Sequence, residues 1–240
     1  MRFSLEEQVA IIVGSSSGMG EATAKTFAEA GAKVVLAARR PDKLAALAAE
    51  IGEAAFACPT DVGDAQAVER LIATTIARFG GIDTLVYATG TNIPERSLQV
   101  LTHETWEMMI RTNLTGAFYC TQAVLPTMRK QKSGCIIYIS SGAVQRPDVS
   151  GVSYQATKHG LVGLAHGTFR EEKENGIRTS VIFPGLTDTP LVLKRPVPTP
   201  PEVVAQALQP QDVADACLLI ASLPPRVYVP EMVMLPAGLA

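Results

Sequence analysis

The stretch that decides the fold reads Val9-Ala10-Ile11-Ile12-Val13-Gly14-Ser15-Ser16-Ser17-Gly18-Met19-Gly20. Its apolar half predicts a buried strand, its glycine-rich half a tight turn, and the residues from Glu21 to Ala30 a helix. Glycine lets the backbone of such a turn approach a pyrophosphate, whose charge then meets the free N–H groups at the helix start. A phosphate site is therefore predicted here, although any tight strand-to-helix turn favours glycine. The candidate residues are Gly14, Ser16, Ser17, Gly18, Met19 and Gly20.

Outward from this turn, short runs rich in Val and Ile alternate with longer stretches of helical period. Strands that are apolar throughout are buried on both faces, which indicates an α/β fold with a doubly wound parallel sheet of about seven strands. Nothing marks a second domain, so residues 1–240 are predicted to form a single dinucleotide-binding and catalytic domain. The predicted strands are Val9–Val13, Lys33–Ala37, Ala54–Ala57, Thr84–Tyr87, Cys135–Ser140, Ile177–Ile182 and Glu231–Leu235.

The composition excludes several classes of protein. A net charge of −2, with Lys and Arg scattered, argues against a nucleic-acid partner. The apolar runs are too short for a signal peptide or a membrane span, so a cytoplasmic protein with no membrane partner is expected. Spacing typical of metal ligands is missing among the histidines and cysteines, so no metal site is predicted and buried free thiols are expected. The cysteines are Cys58, Cys120, Cys135 and Cys217.

The end of the second predicted strand bears on the choice of cofactor. Enzymes that prefer NAD typically place Asp or Glu there to bind the ribose hydroxyls, whereas this chain has Ala38 followed by Arg39. The Arg39 guanidinium could form charge-assisted hydrogen bonds with a 2′-phosphate, which favours NADP(H) over NAD(H). In the competing interpretation, Arg39 and Arg40 only end the strand in solvent.

A second group of residues has the chemistry of a proton donor. Tyr154 and Lys158 are four residues apart, so on a helix both side chains project from one face. A nearby cation stabilises the phenolate and lowers the pKa of a tyrosine from its usual value near 10. Ser141 ends an apolar strand, where its hydroxyl could donate a hydrogen bond to a substrate oxygen as negative charge develops. Taken alone, the Tyr and Lys could equally be ordinary surface residues.

These motifs occur in one order, and together they resemble the short-chain dehydrogenase/reductase family, which the chain matches over nearly its whole length. The Gly14–Gly20 spacing, GxxxGxG, and the interval of thirteen residues from Ser141 to Tyr154 are typical of that family. The resemblance implies a Rossmann-type fold and a catalytic set of Asn113, Ser141, Tyr154 and Lys158, in which Asn113 holds a water that passes protons to the lysine. Tyr154 and Lys158 also bind the cofactor in this family, and Arg39 at the end of the second strand favours NADP(H) as the bound nucleotide.

The same resemblance assigns further cofactor contacts. Asp61 and Val62 are expected to hold the adenine, although Asp61 could instead cap the next helix, for which Asp64 is the better candidate. The nicotinamide is expected to contact the segment from Pro184 to Thr189. Three departures from the family pattern stand out: Val13 in place of Thr, Tyr87-Ala88-Thr89 in place of Asn-Asn-Ala, and Thr187 in place of Ile or Val. The remaining cofactor positions are Gly90, Pro184, Gly185, Thr187 and Thr189.

The expected function is transfer of a hydride between NADP(H) and the carbonyl or alcohol carbon of a small to medium, apolar substrate, with Tyr154 as acid and base. Arg146 and Lys194 are the residues that could instead bind a substrate carboxylate. The alternative is a catalytically silent protein that senses NADP(H). The expected pocket walls are Ala143–Val149, Ile93, Pro94 and Leu186–Leu193, with an open, Pro-rich loop from Pro190 to Pro201.

Family members commonly assemble through two long helices. These correspond here to about Trp106–Lys130 and Ser153–Glu174, so a homotetramer or homodimer is expected.

Overall fold

A computed structural model describes residues 3–146 and 148–239 of the chain. Its centre is a sheet of seven parallel strands in the order β3-β2-β1-β4-β5-β6-β7. The order reverses between β1 and β4, which opens a crevice at the carboxyl edge of the sheet. The strands are β1 Val9–Val13, β2 Lys33–Ala38, β3 Ala55–Pro59, β4 Thr84–Tyr87, β5 Gly134–Ile139, β6 Ile177–Pro184 and β7 Glu231–Met234.

Helices cover both faces of this sheet, as the apolar strands predict. Successive residues of β1 belong to two separate cores: Ile11 and Val13 face one, and Ala10 and Ile12 face the other. This alternation is the two-residue period of a strand that is buried on both sides. The helices are α1 Gly18–Glu29, α2 Pro41–Ile51, α3 Ala65–Phe79, α4 His103–Ile110, α5 Gly116–Gln131, α6 Val152–Glu172, α7 Pro201–Val204 and α8 Pro210–Ser222.

Each strand begins and ends within two residues of the bounds predicted from the sequence. Gly31 and Gly80 end α1 and α3 with φ angles of +98° and +84°, conformations that glycine adopts without strain. The segment 190–200 is largely loop, as expected, with a single 3₁₀ turn at Val192–Lys194. The first long helix is not uniform, because a π-helical turn at Arg111–Thr115 joins α4 to α5.

All four cysteines are free thiols, and three of them are buried. Among the described residues, no helix combines the length and apolar character needed to cross a bilayer. The described part of the chain also lacks a cluster of three or more His, Cys, Asp or Glu side chains that could hold a metal ion.

Candidate active site

The glycine turn after β1 lines one end of a cavity of about 340 Å³ at the carboxyl edge of the sheet. Gly14 has a φ angle of +92°, and a Cβ added there would lie 2.7 Å from the Thr89 amide nitrogen. A Cβ added at Gly20 would collide with the Gly14 carbonyl oxygen. Glycine is therefore required for the start of α1 to approach the strand ends so closely. The result is a backbone cradle at a helix N-terminus, which suits a pyrophosphate.

Two arginines after β2 border this turn. Arg39 lines the cavity with an exposed side chain. Arg40 donates hydrogen bonds to the Ser16 carbonyl oxygen at 3.1 Å, to Ser16 Oγ at 2.7 Å and to Ser17 Oγ at 2.9 Å. Arg40 therefore holds the turn and adds a second positive charge beside it. The sequence interpretation did not assign Arg40 a role, although its position next to Arg39 was a visible signal.

The residues after β3 line the same cavity. Asp61 Oδ1 accepts a hydrogen bond from the Gly63 amide at 2.9 Å, which forms a local turn. The cap of α3 is Asp64, whose side chain accepts from the Gln66 amide at 2.9 Å. The structure thus assigns the capping role to Asp64 and leaves Asp61 and Val62 on the cavity wall, where the sequence predicts contact with adenine.

Tyr154 and Lys158 lie one turn apart on α6, and both are buried. Lys158 Nζ is 5.7 Å from the centroid of the Tyr154 ring and donates a hydrogen bond to the Ile139 carbonyl oxygen at 2.7 Å. A Cβ added at Gly90 would lie 3.2 Å from Lys158 Nζ, so glycine at that position leaves room for the ammonium group. Both side chains line the cavity that contains the glycine turn.

Two serines at the end of β5 have different surroundings. Ser140 Oγ donates to the Lys158 carbonyl oxygen at 2.9 Å and so ties the strand to α6. Ser141 Oγ accepts from the Ala143 amide at 3.2 Å, and its side chain also hydrogen-bonds to Tyr154. Ser141 also lines a second cavity together with Tyr154. Of the two serines, Ser141 is therefore the one whose hydroxyl lies beside the Tyr154 phenol.

Burial dominates the titration of the pair on α6. It raises the pKa of Tyr154 to about 12, while the Ser141 side chain and two nearby guanidinium groups, Arg96 and Arg195, lower it. Burial also lowers the pKa of Lys158 to about 8. The lowering of the Tyr154 pKa that a nearby cation predicts is thus outweighed by burial, and Tyr154 is a protonated phenol at neutral pH with a proton to donate.

Asn113 lies at the centre of the π-helical turn and is fully buried. Its Oδ1 accepts from the Thr91 amide at 2.8 Å, and its Nδ2 donates to the Thr91 carbonyl oxygen at 3.0 Å and to Thr157 Oγ1 at 3.2 Å. The amide side chain thus joins the loop after β4 to α6.

The segment after β6 closes the other end of the crevice. Thr189 lines both cavities, and its Cγ2 lies 3.2 Å from the position of a Cβ added at Gly18. Thr187, which departs from the family pattern, donates from Oγ1 to the Gly185 carbonyl oxygen at 3.1 Å. Its hydroxyl therefore braces the turn where an apolar side chain is usual. Pro184, Gly185 and Thr187 line the second cavity only, and Gly20 and Asn113 line neither.

The second cavity has a volume of about 490 Å³ and adjoins the first at Tyr154. Its lining includes parts of the predicted walls, with Ala143, Leu186 and Val192 among them, but neither Ile93 nor Pro94. Pro147, which falls within the predicted range Ala143–Val149, lies outside the described residues. Arg146 lines this cavity, whereas Lys194 lines the first. Two further arginines, Arg96 and Arg195, line the second cavity and were not identified from the sequence.

The chain belongs to the short-chain dehydrogenase family, whose members are oxidoreductases: residues 8–196 match the model of that family. An uncharacterized oxidoreductase of Staphylococcus haemolyticus is 34% identical over 235 residues, which cover 97% of this chain and 98% of the relative.

Solved structures resemble the whole fold. A metagenomic short-chain oxidoreductase in complex with NADP is 30% identical, with a TM-score of 0.84 and coverage of 97% of this chain and 98% of the other. A 3-ketoacyl-(acyl-carrier-protein) reductase from Brucella melitensis complexed with NADH is 26% identical, with a TM-score of 0.89 and coverage of 98% and 99%. Since one neighbour holds NADP and the other NADH, a preference between these cofactors must be argued from the residues of this chain.

Proposed function

We propose that this oxidoreductase uses NADP(H) to interconvert a small to medium carbonyl compound and the corresponding alcohol. The observation that carries the proposal is the position of Tyr154 at the junction of the two cavities, with Lys158 behind it and Ser141 beside it. The first cavity contains the glycine cradle for a pyrophosphate, and the second has the size of a small-molecule site.

The preference for NADP(H) rests on the end of β2. Ala38 offers no carboxylate to the ribose hydroxyls, and Arg39 and Arg40 both line the cavity at that point. Arg40 is already hydrogen-bonded to the turn. The exposed guanidinium of Arg39 is therefore the group available to a 2′-phosphate. A doubly charged phosphate gains charge-assisted hydrogen bonds there that a ribose hydroxyl cannot match.

In the proposed reduction, NADPH supplies the hydride when it is bound. Ser141 and Tyr154 donate hydrogen bonds to the carbonyl oxygen and stabilise the charge that develops on it. Tyr154 then gives up its proton, and the positive charge of Lys158 stabilises the phenolate that remains. Lys158 would also hold the ribose next to the nicotinamide. Lys158 then returns a proton to the Tyr154 phenolate, and a water held by Asn113 passes a proton to the lysine.

The outer faces of the long helices support the proposal that the chain is a homotetramer or homodimer. Trp106, Met108 and Phe118 remain exposed on α4 and α5. On α6, Gly163 and Gly167 have no described atom within 4 Å of an added Cβ, so this face is flat enough for a second helix. Light scattering coupled to size-exclusion chromatography measures the assembly, and a monomeric mass would contradict this proposal.

The function is tested by mixing the purified protein with NADPH and a panel of small aldehydes and ketones, and by following the loss of NADPH absorbance. Turnover that needs both protein and carbonyl compound is the expected result. Binding of NADPH without oxidation of any compound in the panel would favour the alternative, a silent NADP(H)-sensing protein. Mixing the protein with NADP⁺ and the corresponding alcohols measures the reverse direction.

A further inference from the structure

Two arginines that the proposed mechanism does not use lie in the wall of the second cavity. Arg96, from the loop after β4, is buried with 6% of its surface exposed. Arg195, from the segment after β6, is partly buried. Both arginines line the same cavity as Tyr154.

Arg96 is held in place by neutral groups. Its Nε donates to the Ile93 carbonyl oxygen at 2.7 Å, and its Nη2 donates to the Lys194 carbonyl oxygen. The backbone is shaped around this side chain, since a Cβ added at Gly151, whose φ angle is +86°, would lie 2.7 Å from Arg96 Cβ. Arg195 donates from Nη1 to Thr199 Oγ1 at 3.1 Å. Both guanidinium groups are thus oriented, and each keeps N–H groups that these bonds do not use.

The two guanidinium groups have no ion-pair partner in the part of the chain that the structure describes. Among the described residues, no carboxylate lies within 4.0 Å of either guanidinium. Burial lowers the pKa of Arg96, and the charge of Arg195 lowers it further. Asp148 lines the same cavity and its charge raises the pKa of Arg96, but its side chain is exposed and accepts from the Ser150 amide at 2.8 Å. Burying a guanidinium without a partner is costly, and an anion between the two would remove that cost.

We propose that Arg96 and Arg195 bind a carboxylate at the end of the substrate opposite its reacting carbonyl. A planar carboxylate matches the fork of a guanidinium, and two such groups can hold both of its oxygens. Leu186, Leu191 and Leu235 line the same cavity and pack against the carbon chain that joins carboxylate and carbonyl. The substrate class is then a small oxo acid, reduced to a hydroxy acid. This inference rests on the proposed reductase function.

The test compares short oxo acids of increasing chain length with their methyl esters, which keep the shape and lose the charge. For the wild-type protein with NADPH, kcat/KM for the best acid is expected to exceed that for its ester by at least about tenfold. Two substitutions are expected to reduce this ratio to within about threefold of unity. Arg195→Gln removes a guanidinium at a partly exposed position, and Arg96→Lys keeps the charge but loses the fork. Arg226→Gln, which removes an exposed guanidinium outside both cavities, serves as the matched control and should leave the ratio unchanged.

The same assays separate the absence of a carboxylate site from the absence of reductase activity. Equal use of acids and esters by the wild-type protein, or an acid preference that survives in both variants, overturns the carboxylate site while reduction itself stands. If neither acids nor esters are reduced, binding to the complex with NADP⁺ is measured by thermal shift with saturated acids and their esters. Stabilisation by the acids alone that Arg195→Gln removes supports the site, and equal shifts overturn it.

Discussion

Substitution of Tyr87 by Phe is expected to destabilise the protein and to slow catalysis, although Tyr87 contacts neither cavity. Tyr87 takes the place of an Asn in the family pattern and is fully buried at the end of β4. Its hydroxyl donates to the Thr112 carbonyl oxygen at 2.6 Å. In a regular α-helix that carbonyl would accept from Gly116, but the π-helical turn pairs the Gly116 amide with Arg111 instead. Tyr87 therefore supports the turn that carries Asn113.

The size of the effect follows from this hydrogen bond. Burial raises the pKa of Tyr87 well above its usual value, so the phenol stays protonated and acts as a donor at any working pH. Tyr87→Phe leaves a buried carbonyl without this donor, which costs about 1–3 kcal/mol of the free energy of unfolding. A turn that is less well held also places Asn113 less accurately, and we expect kcat to fall by about tenfold, or about 1.4 kcal/mol in the activation barrier.

Tyr138→Phe is the matched control. Tyr138 pairs with Tyr87 in the register of β4 and β5, is equally buried, and shares a hydrogen bond of 2.7 Å with Thr121 Oγ1 on α5 rather than with the π-helical turn. Urea unfolding should show a loss of stability for both variants, and steady-state kinetics with NADPH should show a loss of kcat for Tyr87→Phe alone. A stability within about 0.5 kcal/mol of wild type for Tyr87→Phe, or the same kcat loss in both variants, would refute the reasoning.

Three further predictions concern the site itself. Tyr154→Phe should abolish reduction while NADPH still binds in a fluorescence titration, and wild-type kcat in this variant would exclude Tyr154 as the acid. NADPH should exceed NADH by at least about tenfold in kcat/KM, about 1.4 kcal/mol, and Arg39→Ala should narrow the gap by weakening NADPH alone; an unchanged ratio would remove Arg39 from the 2′-phosphate site. Burial lowers the pKa of Lys158 from 10.5 to about 8, so the unfolded chain binds the extra proton between these values. The free energy of unfolding should therefore rise with pH across this window by up to about 3 kcal/mol more in wild type than in Lys158→Met, and parallel curves would contradict the shift.

Several features of the protein are determined by residues that are close together in the chain, and these features could be predicted from the sequence. The apolar run Val9–Val13 followed by a glycine turn and a helix is a local pattern, because strand burial, turn conformation and helix period all act over a few residues. The one-turn separation of Tyr154 and Lys158 is likewise local. The order of these motifs along the chain was enough to predict the family and the seven parallel strands, which the comparisons and the sheet topology confirm.

Only the tertiary structure brings together residues that are distant in the chain. The bond from Arg96 to the Lys194 carbonyl joins positions 98 residues apart, and the bond from Tyr87 to Thr112 spans 25 residues. Arg40 meets the glycine turn across 24 residues. These contacts form because parallel strands place all their carboxyl ends at one edge of the sheet, where the loops that follow them converge. No periodicity or spacing encodes that convergence, so the character of the second cavity could be described only from the folded chain.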